Sequence, residues 1–197
     1  MNHGPCKCRL RNGQLYDGIL RGDHNWRRNY IDSYRYVLGA ATDALTNRDL
    51  DLVVIHMPVA HTPPIFDRST QQFTTEKGDY LDNLELADRT LGLLRRSMEH
   101  AGLWEVTNIL VTADHGFRDA SPSEWKHIST PLHVPFFLRM SGFQQHVEDD
   151  HRFSTILVHD LLLALLKREV ATPDEARHLL DGRVHTRKSL HNQRMNI

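Results

Sequence analysis

The stretch that decides the fold is Asn108-Ile109-Leu110-Val111-Thr112-Ala113-Asp114-His115-Gly116. Its apolar run is typical of a buried strand, and polar residues follow directly where that strand would end. In open α/β sheets, ligands bind beyond the carboxyl ends of the strands. Asp114 and His115 are therefore candidate ligands for a divalent cation, since zinc accepts oxygen and nitrogen donors together. The alternative is a plain turn, in which Gly116 supplies a positive φ.

A second strand is predicted upstream, over residues 51–56, where four apolar residues in a row indicate burial on both faces. The proline-rich residues 58–64 cannot continue a central strand. His56 and His61 are therefore expected at or just beyond its carboxyl end. The alternatives are that His56 is a core histidine and that His61 is an ordinary loop residue.

Helical periodicity flanks these strands. The predicted order is helix, strand, helix, strand, strand, helix, over about 29–47, 51–56, 79–100, 108–113, 134–138 and 153–167, with a short helix opening at Pro173. This order predicts an α/β fold, a layered and mostly parallel sheet with flanking helices. The expected organisation is an irregular lead-in over 1–28, one α/β domain over 29–170, and a short helix with a polar tail over 171–197.

The helix predicted over 79–100 has recognisable ends. Asp79 is a candidate N-cap, and Gly102 is a candidate C′ residue. The apolar positions at helical spacing, which are expected to face the core, are Leu84, Ala87, Leu91, Leu94 and Met98.

Bulk properties restrict the class of protein. A chain of 197 residues can form one domain with a real core. A formal net charge of −1 provides no field that favours nucleic acid or an anionic membrane. The first residues lack the apolar segment of a signal peptide, and the longest apolar run, around 156–166, is too short to span a bilayer. We therefore expect a soluble chain, cytoplasmic by default, with no membrane segment and no nucleic-acid partner.

Four segments, taken in order, resemble the alkaline phosphatase superfamily, in particular its sulfatase-like and phosphoethanolamine-transferase-like branch. They are Ile55–Pro63, the helix that contains Asn83, Asn108–Phe117 and His133–Phe136. The Asp-His-Gly triplet alone is a weak match, whereas the ordered set over roughly residues 30–166 is specific. The resemblance implies an alkaline-phosphatase-like α/β fold.

The resemblance also implies roles for individual residues. Asp114 and His115 would be metal ligands. His61 would bind a metal or contact the phosphate or sulfate group, and the second role is favoured because the acidic residue of the two-metal motif is replaced by Met57. His127 takes the place of a family loop histidine, although the neighbouring lysine could serve the anion instead. A divalent metal is implied, with zinc favoured over manganese or calcium.

The implied function is a metal-dependent hydrolase or transferase that acts on small anionic phosphate or sulfate esters. Family members carry the nucleophile and further acidic ligands on upstream strands, but residues 1–50 contain no predicted strand that ends in Asp. We therefore expect a C-terminal portion, truncated at the N-terminus, that lacks the nucleophile. The alternatives are an inactive remnant or interaction module, whose exposed sheet edge would favour homo-oligomers, and an unrelated α/β protein with coincidental histidines.

Overall fold

The computed structural model describes residues 26–76, 78–116 and 133–181. The chain is an α/β protein, as predicted. Its elements are helices α1 (Trp26–Leu45), α2 (Tyr80–His100), α3 (Leu157–Leu166) and α4 (173–181), strands β1 (Phe66–Asp67), β2 (Gln72–Phe73), β3 (Ile109–Thr112) and β4 (Phe136–Arg139), and a 3-10 turn at Trp104–Val106. The described residues form two compact units, 26–44 with 55–94 and 45–54 with 95–181. None of the helices within these ranges has the length and apolar character needed to cross a membrane.

The first unit is packed around Tyr34 of α1. The Tyr34 hydroxyl shares a 2.8 Å hydrogen bond with Thr90 Oγ1 of α2, and its ring centroid lies 5.4 Å from that of Phe73. Strands β1 and β2 form an antiparallel hairpin in which Phe66 lies opposite Phe73. Both helices and the hairpin thus contribute to one core, whose buried residues are Ile31, Tyr34, Ile65, Phe66 and Leu86.

Both predicted ends of α2 are confirmed. Asp79 Oδ1 accepts a hydrogen bond from the Asp82 backbone N–H (3.0 Å), and Asp82 Oδ2 accepts one from the Asp79 N–H (2.8 Å). This reciprocal pair is a capping box. Gly102 has a φ of 67°, and the Leu103 N–H donates to the Met98 carbonyl at 2.9 Å, as in a Schellman motif.

The prediction for the buried face of α2 was partly wrong. Leu84 and Leu91 are exposed. The buried positions are Asn83, Leu86, Thr90, Leu94 and Met98. Two of these are polar, and each has hydrogen-bond partners that offset the cost of removing it from water. A search for apolar side chains at helical spacing cannot find such positions.

The second unit has its core beneath the β3–β4 pair. Leu110 of β3, with Phe136 and Leu138 of β4, packs against a cluster of buried residues. Those buried residues are Met140, Leu157, Leu161, Ala164, Val170, Ala176 and Leu180. Strand β3 and the helices α3 and α4 therefore share one apolar core.

The two strands of this pair run antiparallel, with Ile109 opposite Arg139 and Thr112 opposite Phe136. The mostly parallel arrangement predicted from their apolar runs does not hold between them. Their residues are half-buried or exposed, and no residue of either strand is fully buried. Coverage of one face only is common in antiparallel sheets, whereas parallel strands are covered on both faces.

The strand predicted over 51–56 is not formed, which corrects that prediction. Leu52 is 48% exposed and Val54 is 79% exposed. A strand needs a hydrogen-bonded neighbour, and among residues 26–76, 78–116 and 133–181 no strand pairs with this segment. Apolar character therefore identified a segment suited to a sheet without identifying a partner for it.

Helix α4 begins with a second capping box. The Glu175 N–H donates to Thr172 Oγ1 at 3.2 Å, and the Glu175 carboxylate accepts from the backbone N–H groups of Ala171 (2.8 Å) and Thr172 (3.1 Å). The hydrogen bond from Ala171 is the main reason that the pKa of Glu175 lies below its ordinary value. The charged form of this side chain therefore stabilises the start of α4.

We expect the Glu175→Gln variant to lose a contribution to stability that is present at neutral pH and absent in acid. Because the pKa of Glu175 is lower in the folded chain, this contribution is complete above the ordinary glutamate pKa of about 4.3 and is lost as the pH falls through the folded value. The urea midpoints of wild type and variant should differ at about pH 7, and the difference should shrink as the pH falls below about 4. Glu169→Gln serves as the control. A difference that does not depend on pH would contradict the expectation.

Candidate functional site

Asp114 and His115 lie just after β3, as predicted. Asp114 Oδ1 accepts a hydrogen bond from the His115 backbone N–H at 3.0 Å. His115 Nδ1 lies 2.9 Å from the Gly116 carbonyl oxygen. A carbonyl can only accept, so Nδ1 carries a proton, and in the neutral ring Nε2 keeps its lone pair. These hydrogen bonds leave Asp114 Oδ2 and His115 Nε2 as the atoms available to bind a metal ion. The two atoms are 3.8 Å apart.

These two donor atoms fit one divalent cation. Zinc binds carboxylate oxygen and imidazole nitrogen at about 2.0–2.2 Å, so a single ion can bridge a separation of 3.8 Å. The Nδ1 hydrogen bond to a backbone carbonyl is a common orienting contact of metal-binding histidines. The side chains of Asp114 and His115 are 70% and 34% exposed, so both are accessible.

The pair supplies fewer protein ligands than a catalytic zinc site, which has three. Within the described ranges, no group of three or more His, Cys, Asp or Glu side chains is placed to hold a metal ion. Asp114 and His115 can therefore provide part of a metal centre. Among the described residues, no third side chain of these types is grouped with them.

His61 lies in the first unit, in the loop that leads to β1. Its side chain is exposed, and its Nδ1 is 2.6 Å from the Thr62 carbonyl oxygen. As in His115, Nδ1 must be the donor and Nε2 the acceptor. The preceding Ala60 has a φ of 65°, a conformation that residues with a Cβ seldom adopt and that the surroundings must hold in place.

Two side chains that were not predicted as site residues hold this loop. Asn83 of α2 makes hydrogen bonds with three backbone groups of residues 61–65. Arg27 of α1 donates from Nη1 to the carbonyls of Pro64 (2.7 Å) and Glu76 (2.5 Å). The role of Asn83 could have been inferred in part, because an asparagine on the buried side of a helix needs hydrogen-bond partners.

The remaining candidates are placed as follows. His56 is exposed, so it is not a core histidine. His127 and its neighbouring lysine lie outside the described residues. The structure thus brings Asp114 and His115 together in the second unit and places His61 in the first. A recess of about 310 Å³ in the second unit is lined by residues of α3, α4 and their connection, and by none of these candidates.

Comparison with known proteins identifies the family. The model of the type I phosphodiesterase / nucleotide pyrophosphatase family matches residues 33–187, which is most of the chain. The chain therefore belongs to this family, which is part of the alkaline phosphatase superfamily. The superfamily predicted from the sequence is confirmed, and membership supports the α/β fold.

Two curated relatives are similar to parts of the chain. The venom phosphodiesterase CdcPDE of Crotalus durissus collilineatus is 26% identical over 92 residues, which cover 43% of this chain and 11% of the relative. The venom phosphodiesterase of Naja atra is 26% identical over 76 residues, which cover 39% of this chain and 9% of the relative. The chain spans about a tenth of the length of these relatives. No solved structure matches it significantly.

Proposed function

We propose that the chain carries part of the active site of a metal-dependent hydrolase of phosphodiesters or pyrophosphates. The observation that carries the proposal is the Asp114–His115 pair at the end of β3, with Oδ2 and Nε2 3.8 Å apart. Membership of the phosphodiesterase family favours phosphate esters over the sulfate esters that the sequence left open.

Asp114 and His115 are proposed to hold a divalent cation, with zinc favoured and manganese or calcium as alternatives. A bound cation of this kind supplies Lewis-acid polarisation of a phosphoryl oxygen. The hydrogen bond from His115 Nδ1 to the Gly116 carbonyl orients the ring and, in the neutral imidazole, leaves the lone pair for the cation on Nε2. The Asp114 carboxylate contributes the negative charge that makes binding of a cation favourable.

His61 and His127 are proposed to contact the phosphoryl oxygens. With Nδ1 donating to the Thr62 carbonyl, a neutral His61 offers only an acceptor at Nε2. The ring can donate from Nε2 to an anionic oxygen once it is protonated, and its positive charge then offsets that of the phosphate. Binding of a metal would instead need the neutral ring, so the two roles proposed for His61 have opposite pH dependence.

The nucleophile and the remaining metal ligands are proposed to come from polypeptide other than the segments described above. This rests on the pair of ligands at β3 being too few for a catalytic zinc site. It also rests on the length of the relatives, of which the chain spans about a tenth. Since residues 1–50 also contain no predicted strand that ends in Asp, the chain alone is expected to bind metal and phosphate ester without turning the ester over.

The test is zinc binding by the purified chain, followed by calorimetry with bis(p-nitrophenyl) phosphate in the presence and absence of zinc. We expect uptake of about one zinc ion and phosphodiester binding that disappears when a chelator removes the metal. An aryl sulfate is the control ligand and should bind more weakly. Turnover would show that this chain holds a nucleophile, and a chain that binds neither metal nor phosphodiester would refute the proposed function.

A second candidate function is an interaction module that retains the fold, with a second copy of the chain as its partner. The second unit exposes Leu52, Val54 and Phe137. In the part of the chain that the structure describes, the outer edges of the β3–β4 pair have no partner strand. Identical sheet edges can pair around a two-fold axis. Light scattering on the same preparation should then show a dimer with or without zinc. A chain that stays monomeric at high protein concentration would exclude this second function.

A further inference from the structure

Asn83 is a buried polar side chain whose hydrogen bonds all lead to the His61 loop. It is 1% exposed. Its Oδ1 accepts from the Ile65 N–H at 3.0 Å, and its Nδ2 donates to the carbonyls of His61 (2.6 Å) and Pro63 (3.0 Å). One amide therefore fixes the backbone on both sides of Thr62.

This arrangement determines the tautomer of the neutral His61 ring. With the carbonyls of His61 and Pro63 directed to Asn83, the carbonyl between them, that of Thr62, lies 2.6 Å from His61 Nδ1. In the neutral ring the proton is then on Nδ1, and the lone pair is on Nε2. The same hydrogen bonds also hold the loop immediately after Ala60, whose φ of 65° requires such support.

Packing alone does not explain an amide at this position. Apart from Asn83 and Thr90, the buried side chains of the first unit are hydrophobic, and an apolar side chain would fill the space without the cost of burying an amide. Thr90, the other buried polar residue of α2, bonds within the core, to Tyr34 and to its own helix. Asn83 differs because all three of its partners belong to the loop that carries a candidate active-site residue.

We propose that Asn83 is the positioning residue of His61. It imposes the loop conformation that sets the place of the imidazole and its Nδ1-protonated tautomer, so that Nε2 is presented to a ligand. The effect on phosphodiester binding rests on the proposed function, whereas the effect on the tautomer does not.

The test compares Asn83→Asp with Thr90→Val. The aspartate keeps the shape of the side chain and an acceptor for the Ile65 N–H, but loses both donors to the loop carbonyls. The valine removes a buried hydrogen bond from the same helix and leaves the loop contacts intact. Nitrogen-15 spectra of the neutral His61 ring should show the Nδ1-protonated form in wild type and Thr90→Val, and a mixture of tautomers in Asn83→Asp. Zinc-dependent affinity for bis(p-nitrophenyl) phosphate should fall about 10- to 100-fold in Asn83→Asp only.

Retention of the Nδ1-protonated form alone in a folded Asn83→Asp variant would overturn the proposal. If that variant does not fold, hydrogen exchange in wild type decides. The Asn83 side-chain amide protons should exchange slowly, and exchange at the rate of an exposed amide would also overturn it. A wild-type chain that binds no phosphodiester would refute the proposed function instead, while the tautomer and exchange measurements would still decide the role of Asn83.

Discussion

Replacing Asp114 by alanine is expected to abolish stoichiometric zinc binding by the chain. The substitution removes one of the two donor atoms that lie 3.8 Å apart and leaves His115 Nε2 alone. Loss of a residue that only orients a ligand weakens metal binding about 10- to 100-fold. Loss of a ligand itself from a pair should cost at least as much, which would bring zinc uptake to the level of non-specific binding.

The chain contains a matched control for this substitution. His159 and Asp160 on α3 are also adjacent, and His159 Nδ1 lies 3.1 Å from Asp160 Oδ1. That nitrogen and oxygen are bonded to each other, whereas at β3 the hydrogen bonds of Asp114 and His115 leave both donor atoms available. Equilibrium dialysis followed by mass spectrometry should therefore show unchanged zinc in Asp160→Ala. Equal losses in the two variants, or no loss in Asp114→Ala, would leave the Asp-His-Gly sequence as a plain turn.

The parts of the fold that the sequence predicted correctly depend on short-range interactions. The N-cap at Asp79 is completed by Asp82, three residues away. The end of α2 depends on the positive φ that Gly102 adopts easily. The residues involved at each end lie at most five positions apart, so the local sequence contains the whole physical cause.

The parts that failed depend on partners distant in sequence. Residues 51–56 are apolar enough for a strand, but a strand exists only when another supplies its hydrogen bonds. Likewise, the apolar runs of β3 and β4 indicate a preference for burial and carry no information on strand direction. The antiparallel register of Leu110 with Leu138 could not be derived from either run alone.

The candidate site likewise has one part that local sequence predicts and another that depends on residues distant in sequence. Asp114 and His115 were predictable because they are adjacent and follow a strand directly. The role of Asn83 was not, because its partners lie 18 to 22 residues away along the chain. Its contribution arises from satisfied hydrogen bonds in a buried position, which hydropathy counts as unfavourable. Polar residues on the buried side of a helix next to a candidate loop are therefore the positions to examine in other sequences of this kind.

Replacing Leu161 by alanine is expected to destabilise the second unit by about 3 kcal/mol, because the deletion leaves a cavity in a packed core. Leu161 is fully buried in the cluster against which Leu110 of β3 packs. Leu163, on the same helix, is 40% exposed. Leu163→Ala deletes the same atoms from a position that is partly solvated, so it should cost clearly less.

Urea denaturation with and without zinc tests whether this core is needed to hold Asp114 and His115 in place. Zinc that binds only the folded chain raises the urea midpoint. It should still do so in Leu161→Ala, where both ligands remain, and should fail to do so in Asp114→Ala, where the core is intact. A Leu161→Ala variant that has lost the response to zinc would show that the cavity displaces β3 and its ligands. A response retained in Asp114→Ala would place the metal elsewhere in the chain.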